Sequence, residues 1–149
     1  MTTASRKPLR QRTFSWADPA AIAAAAKRAG GSVREALTRL APESREIGAL
    51  IDSTVAGLPR PDPRAVARLA EALGGRAANG AFQAFHRGLY DWLAAHAPRL
   101  ASTAGRAEEM AGLWDRIRAA QRETEALNLD RRLHVLAVFA EIAAIARRR

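Results

Sequence analysis

The side chains best suited to proton transfer or metal binding in this 149-residue chain are three histidines, His86, His96 and His134. A zinc site on a helix needs a second histidine one turn away, or cysteines nearby. None of the three has a histidine four residues away, and the chain contains no cysteine. Glu108 and Glu109 are sequence neighbours, so on a helix their side chains point about 100° apart. These patterns predict neither a metal site nor a catalytic pair of carboxylates.

Nucleotide chemistry is not indicated by the sequence either. A phosphate-binding loop needs a Gly-Lys-Ser/Thr string, but the only two lysines, Lys7 and Lys27, follow Arg6 and Ala26. No Asp-Glu pair follows an apolar strand, where phosphoryl-transfer enzymes hold magnesium. We therefore expect a protein that binds no cofactor and is not an enzyme.

The net charge of +9 is concentrated at the two ends of the chain. Residues 1–17 carry four basic and no acidic side chains, and the last three residues are arginines, so the body between them carries only +2. A mixed surface of this kind is not a continuous phosphate-binding track. The basic ends leave one alternative function open, a small helical nucleic-acid-binding protein that uses them as arms.

The expected location follows from three absences in the sequence. Without cysteines the chain has no disulfides, which fits a reducing compartment. Residues 1–17 are basic but contain no apolar core, so no signal peptide is expected. The uncharged apolar stretches are much shorter than the roughly 20 residues that a membrane span needs. We expect a cytoplasmic protein with no membrane contact.

Helix-forming signals occupy almost all of the chain after residue 17. Alanine is abundant while Val, Ile and Thr are sparse, which favours helix. Asp18, directly before Pro19, and Ser32, three residues before Glu35, are typical helix starts. These signals predict an all-α fold with a disordered basic N-terminus over 1–17, two short helices over 18–42 and a five-helix bundle over 43–149.

The last predicted helix carries more apolar residues than one core contact requires. Asn128 is expected to cap this helix, with Asp130 in its first turn, where a negative charge is favoured. A loop is expected over residues 98–105, beginning at Pro98. A helix with apolar residues on more than one face is either central in a bundle or in contact with another subunit. Its apolar positions are Leu129, Leu133, Val135, Leu136, Val138, Phe139, Ile142 and Ile145.

Two strings in the chain resemble one protein family. Residues 31–37 (Gly-Ser-Val-Arg-Glu-Ala-Leu) are similar to the sensor-two string of a helical lid. Residues 126–131 (Ala-Leu-Asn-Leu-Asp-Arg) are similar to the string that introduces the last helix of a collar domain. Over roughly residues 20–149 the chain resembles the lid remnant and collar of the delta-prime subunit of bacterial DNA polymerase III, a clamp-loader component.

This resemblance implies a non-catalytic role in DNA replication. Collars of five subunits form a ring in that family, so the implied partners are the tau/gamma and delta subunits, with indirect DNA contact at most. Delta-prime subunits do not generally hydrolyse ATP, so Arg34 at the sensor-two position is expected to have a structural role. The implied subunit interface lies on the last helix, at Asn128, Asp130, Arg131, Leu133 and Phe139.

The sequence departs from the family in lacking the AAA+ nucleotide domain and its zinc-binding cysteines. Three interpretations follow from this departure: a truncated gene product, a fragment, or a stand-alone collar protein. Reading the genomic bases upstream of Met1 for a nucleotide-binding domain separates them.

Overall fold

A computed structural model of the chain describes residues 18–75, 78–100 and 105–148. These residues form seven α-helices and no strand, which confirms the predicted all-α class. The predicted disordered segment 1–17 lies outside the described residues. The helices are α1 (Pro19–Arg28), α2 (Val33–Leu40), α3 (Pro42–Val55), α4 (Pro63–Leu73), α5 (Asn79–Leu100), α6 (Arg106–Ala126) and α7 (Arg131–Arg147).

The chain divides into two compact units between Pro42 and Glu43. In the first unit, the Asp18 side chain accepts a hydrogen bond from the Ala20 N–H and begins α1. The Ser32 hydroxyl accepts one from the Glu35 N–H at 3.3 Å and begins α2. Both starts follow the capping preferences of short polar side chains. The two helices pack together and leave an apolar groove, in which Val33 is 74% exposed.

The second unit has one hydrophobic core, to which all five of its helices contribute. Apolar residues recur every three or four positions, so each helix turns one stripe inward. Asp62 caps α4, with Pro63 at its first position, where a missing N–H costs no helical hydrogen bond. The largest fully buried apolar side chains are Ile51, Leu69, Leu73, Phe82, Phe85, Leu89, Leu93, Leu113, Ile117, Phe139 and Ile142.

The end of α5 corrects one sequence-based expectation. A loop was expected from Pro98 onward, but α5 continues through Pro98 to Leu100. Proline removes one helical hydrogen bond, and so close to the C-terminus the remaining turns still hold the helix. The next helix starts at Arg106, directly after Gly105, whose φ of +89° favours glycine. Within the described ranges, no helix combines the length and the apolar character required to cross a bilayer.

Candidate subunit interface

Helices α6 and α7 form an antiparallel hairpin. Arg116 Nε lies 2.8 Å from Glu141 Oε2, and Arg148 Nη1 lies 3.2 Å from Glu109 Oε1. Successive contacts pair residues that advance along α6 with residues that retreat along α7, as an antiparallel pair requires. The family-like string at residues 126–131 therefore occupies the connection between two packed helices.

The connection between α6 and α7 corrects the expected role of Asn128. Asn128 has a φ of +51°, and the Leu129 N–H donates to the Thr124 carbonyl at 3.0 Å. This left-handed residue and its long backbone hydrogen bond end α6 in the manner of a Schellman motif. The cap of α7 is Asp130, whose carboxylate accepts from the Arg132 N–H at 2.9 Å. Expecting Asn128 to be the cap was wrong, because asparagine suits both positions and α6 ends on it.

The outer face of α7 is apolar and exposed. Leu133 is 64% exposed and Leu136 is 46% exposed, and Ala137 and Ala140 are exposed beside them. Steps of three and four residues place these side chains on one helical face. Leu127 and Leu129, in the connection that leads into the helix, are also exposed. We call Leu133, Leu136, Ala137, Ala140 and the half-buried Ala144 the outer face of α7.

The opposite face of α7 is in the core. Phe139, which was expected at the interface, is 1% exposed and its ring lies 6.4 Å from that of Phe85. Its side chain therefore fixes α7 on α5 and is not on the surface of this chain. Val135, Val138 and Ile142 are buried with it.

Charged residues at the start of α7 are engaged within the chain. Arg132 lies 3.3 Å from Asp130 and 3.8 Å from Glu71. The side-chain hydrogen bond from Arg132 lowers the pKa of the Asp130 carboxyl. Arg131 donates to the Asn79 side chain, and its guanidinium lies 5.0 Å from the centre of the Phe82 ring. Both arginines thus attach the first turn of α7 to neighbouring helices.

Arg34, the sensor-two-like residue, lies in the first unit. It is exposed in the first turn of α2, and its carbonyl accepts a hydrogen bond from the Thr38 hydroxyl. Arg34 thus belongs to the first unit, and the outer face of α7 belongs to the second.

His86 of α5 and His134 of α7 form a buried pair that the sequence did not predict. His86 Nε2 and His134 Nε2 are 2.9 Å apart, and His86 is only 2% exposed. His86 Nδ1 lies 2.9 Å from the Phe82 carbonyl oxygen, to which only an N–H can donate. His86 therefore accepts at Nε2, His134 donates from its Nε2, and His134 Nδ1 accepts from the Thr124 hydroxyl at 3.4 Å.

Burial favours the neutral form of both histidines. Burial lowers the pKa of His86 to about 4, against the opposing effect of the hydrogen bond to Phe82. Burial also lowers the pKa of His134. The pair joins α5 to α7 and lies close to the end of α6, so it supports the α6–α7 connection. Across the described ranges, no three potential metal ligands cluster.

The only advance signal for this pair was that both histidines occupy apolar positions of their helices. They are 48 residues apart, so no local spacing rule connects them. No known protein family, curated protein or solved structure matches the chain. The proposed function therefore rests on the surface of the chain itself.

Proposed function

We propose that this chain is a non-catalytic assembly module, similar to the lid remnant and collar of a clamp-loader delta-prime subunit, and that it acts in cytoplasmic DNA replication. The outer face of α7 binds a neighbouring subunit of the ring. The observation that carries the proposal is the exposure of Leu127, Leu129, Leu133 and Leu136 around the start of α7. Contiguous exposed leucines are typical of a surface that a partner covers.

The free energy gained by burying these leucines indicates how large the interface must be. Burying a leucine fully contributes about 1.5–3 kcal/mol, so four half-exposed leucines contribute about 4 kcal/mol in total. Association itself costs about 4–15 kcal/mol. The outer face of α7 is therefore the anchor of a larger contact, and a stable ring interface of about 2,000 Å² recruits neighbouring helices as well.

The arrangement around α7 supports an interface at this place. Inward-facing Phe139 and the His86–His134 pair fix the helix from behind, while Arg131 and Arg132 attach its first turn to α5 and α4. A face held on a rigid element loses little conformational freedom when a partner binds. The first unit, with exposed Arg34, takes the place of the lid in this proposal and has no catalytic role.

The proposal is tested by binding to the other clamp-loader subunits. The full chain, immobilised, is expected to capture purified tau/gamma and delta subunits, and a Leu133→Glu, Leu136→Glu variant is expected to lose that capture. Val33→Glu, at an even more exposed apolar position in the first unit, is the matched control and keeps that capture. Failure of the unmodified chain to bind any subunit, or equal binding by the α7 variant, contradicts the proposal.

Binding to DNA separates this proposal from the nucleic-acid alternative. If the chain is an assembly module, its affinity for duplex DNA is weak and changes little when residues 1–17 and 147–149 are deleted. A strong affinity that falls steeply with salt and disappears with that deletion supports the alternative instead.

A further inference from the structure

The outer face of α7 is divided by side-chain size along its length. Its first half carries the leucines, Leu133 and Leu136, and its second half carries only alanines, Ala137, Ala140 and Ala144. No charged side chain lies on this face between Leu133 and Ala144. Glu141 is directed to the flank, where it pairs with Arg116 of α6 at 2.8 Å. The first half, with the larger side chains, is thus raised, and the second half, with the smaller side chains, is shallow.

From this division we infer that, in the absence of other subunits, the outer face of α7 binds the same face of a second copy of this chain in an antiparallel arrangement. The inference rests on the proposed function, because it uses the same surface. A two-fold axis between Ala137 and Ala140 brings Leu133 of one copy onto Ala144 of the other and Ala137 onto Ala140, and it places Leu136 within one residue of the other copy's Ala140. The raised half of each copy then fills the shallow half of the other, which is a self-complementary interface.

A parallel arrangement does not give this fit. It sets leucine against leucine and alanine against alanine, so the two helices are held apart at one end and leave unfilled space at the other. The charges at the helix ends also disfavour the parallel arrangement. Asp130 lies at the beginning of α7 beside Arg131 and Arg132, and Arg147 and Arg148 lie at its end. Antiparallel copies place each Arg147 near an Asp130, whereas parallel copies bring together two ends that carry only arginines.

The size of the face limits the strength of the pairing. A helix of 17 residues is about 25 Å long, and a contact between two such faces is smaller than a standard protein interface. The pairing is therefore weak and depends on concentration. It is readily displaced by a partner that covers a larger area, so it is compatible with assembly into a ring.

Engineered cysteines test the geometry directly, because the chain contains no cysteine of its own. Leu133→Cys and Ala144→Cys variants are purified separately, one with a mass tag, and mixed under mild oxidation. The antiparallel pairing brings these two positions within the Cα separation of about 4.4–6.8 Å that a disulfide needs. We expect the mixed disulfide between the two variants to form at least about tenfold faster than either homodimeric disulfide.

Val33→Cys, in the exposed groove of the first unit, gives the background rate of cross-linking. Cross-linking of the mixture at this background rate overturns the inference. Faster formation of the 133–133 and 144–144 disulfides overturns it too, because that pattern belongs to a parallel pair.

Sedimentation equilibrium of the unmodified full chain gives a second, independent measurement. Between about 5 and 500 µM the average mass is expected to rise from that of one chain toward that of two, and Ala140→Glu is expected to remove the rise by placing like charges beside the axis. A single-chain mass at every concentration overturns the inference.

The two proposals fail in different ways. A chain that stays monomeric yet captures the tau/gamma and delta subunits overturns self-pairing and leaves the proposed function standing. A chain that forms the 133–144 cross-link but captures no subunit supports self-pairing, and the proposed function fails.

Discussion

Lowering the pH is expected to destabilise the second unit through the buried pair His86 and His134. Burial lowers the pKa of His86 to about 4, while histidine in an unfolded chain titrates near 6.5. As the pH falls below 6.5, the unfolded chain takes up a proton that the folded chain does not accept. The stability is therefore complete above pH 6.5 and is lost as the pH falls toward 4.

The size of the loss follows from these two pKa values. At pH 5 the unfolded His86 is almost fully protonated and the folded His86 is almost fully neutral, so the free energy of unfolding is about 2 kcal/mol lower than at pH 7.5. The lowered pKa of His134 acts in the same direction. A loss of this size is a large share of the roughly 5–15 kcal/mol that stabilises a typical domain.

Urea unfolding at pH 7.5 and pH 5.0, at constant ionic strength, measures this loss. Replacing both histidines, as His86→Leu with His134→Leu, removes both polar partners together and is expected to abolish most of the acid-induced loss. His96→Gln is the matched control. His96 lies on α5 but is half-buried and stacks on Trp92, outside the pair, so this variant is expected to keep the acid response of the unmodified chain.

Two results would contradict the expected effect of the histidine pair on stability. Equal stability of the unmodified chain at the two pH values shows that burial of the pair has no energetic consequence. An undiminished acid-induced loss in the double variant assigns the effect to other groups. Nitrogen NMR at pH 7.5 checks the tautomers without a variant: His86 should carry its proton on Nδ1 and His134 on Nε2.

Five substitutions at four positions, each followed by urea unfolding at pH 7.5, test the packing around α7. Phe139→Ala is expected to cost about 3–5 kcal/mol, because it empties a buried site in the core; a cost below 1 kcal/mol would contradict that placement. Leu133→Ser is expected to change the free energy of unfolding by less than about 0.5 kcal/mol, since that side chain is 64% exposed. Asn128→Val should cost about 1–2 kcal/mol and Asn128→Gly should cost nothing, because the backbone there is left-handed; equal effects would argue against that conformation. Thr124→Val removes the hydroxyl that faces His134 and should cost about 1–2 kcal/mol.

Local sequence signals predicted where several helices begin. Asp18 precedes Pro19, Ser32 lies three residues before Glu35, and both cap the helices that the sequence predicted there. Such signals succeed because the interaction is contained within three or four residues. The same rule misassigned Asn128, because Asn128 and Asp130 are both good caps. Only the path of the chain between two packed helices separates the end of α6 from the start of α7.

Interactions between distant residues could not be predicted in the same way. The apolar residues of α7 predicted that more than one face of the helix is covered. They did not show which of these residues point into the core. Phe139 is in the core and Leu133 is on the surface, although the resemblance implied that both lie at the subunit interface. The contact between His86 and His134 joins residues 48 positions apart, and it exists only because α5 and α7 pack together.

The two faces of α7 contribute differently to the stability of the second unit. Its surface ion pairs with α6, Arg116–Glu141 and Arg148–Glu109, are exposed, and pairs of this kind contribute little stability. The helix is therefore held mainly by its inner face, through Phe139 and its neighbours. Leu133 and Leu136 contribute less to the folding of the unit than the core residues do, because they remain 64% and 46% exposed in the folded chain. Because these leucines keep an apolar surface in contact with water, we propose that a partner covers them.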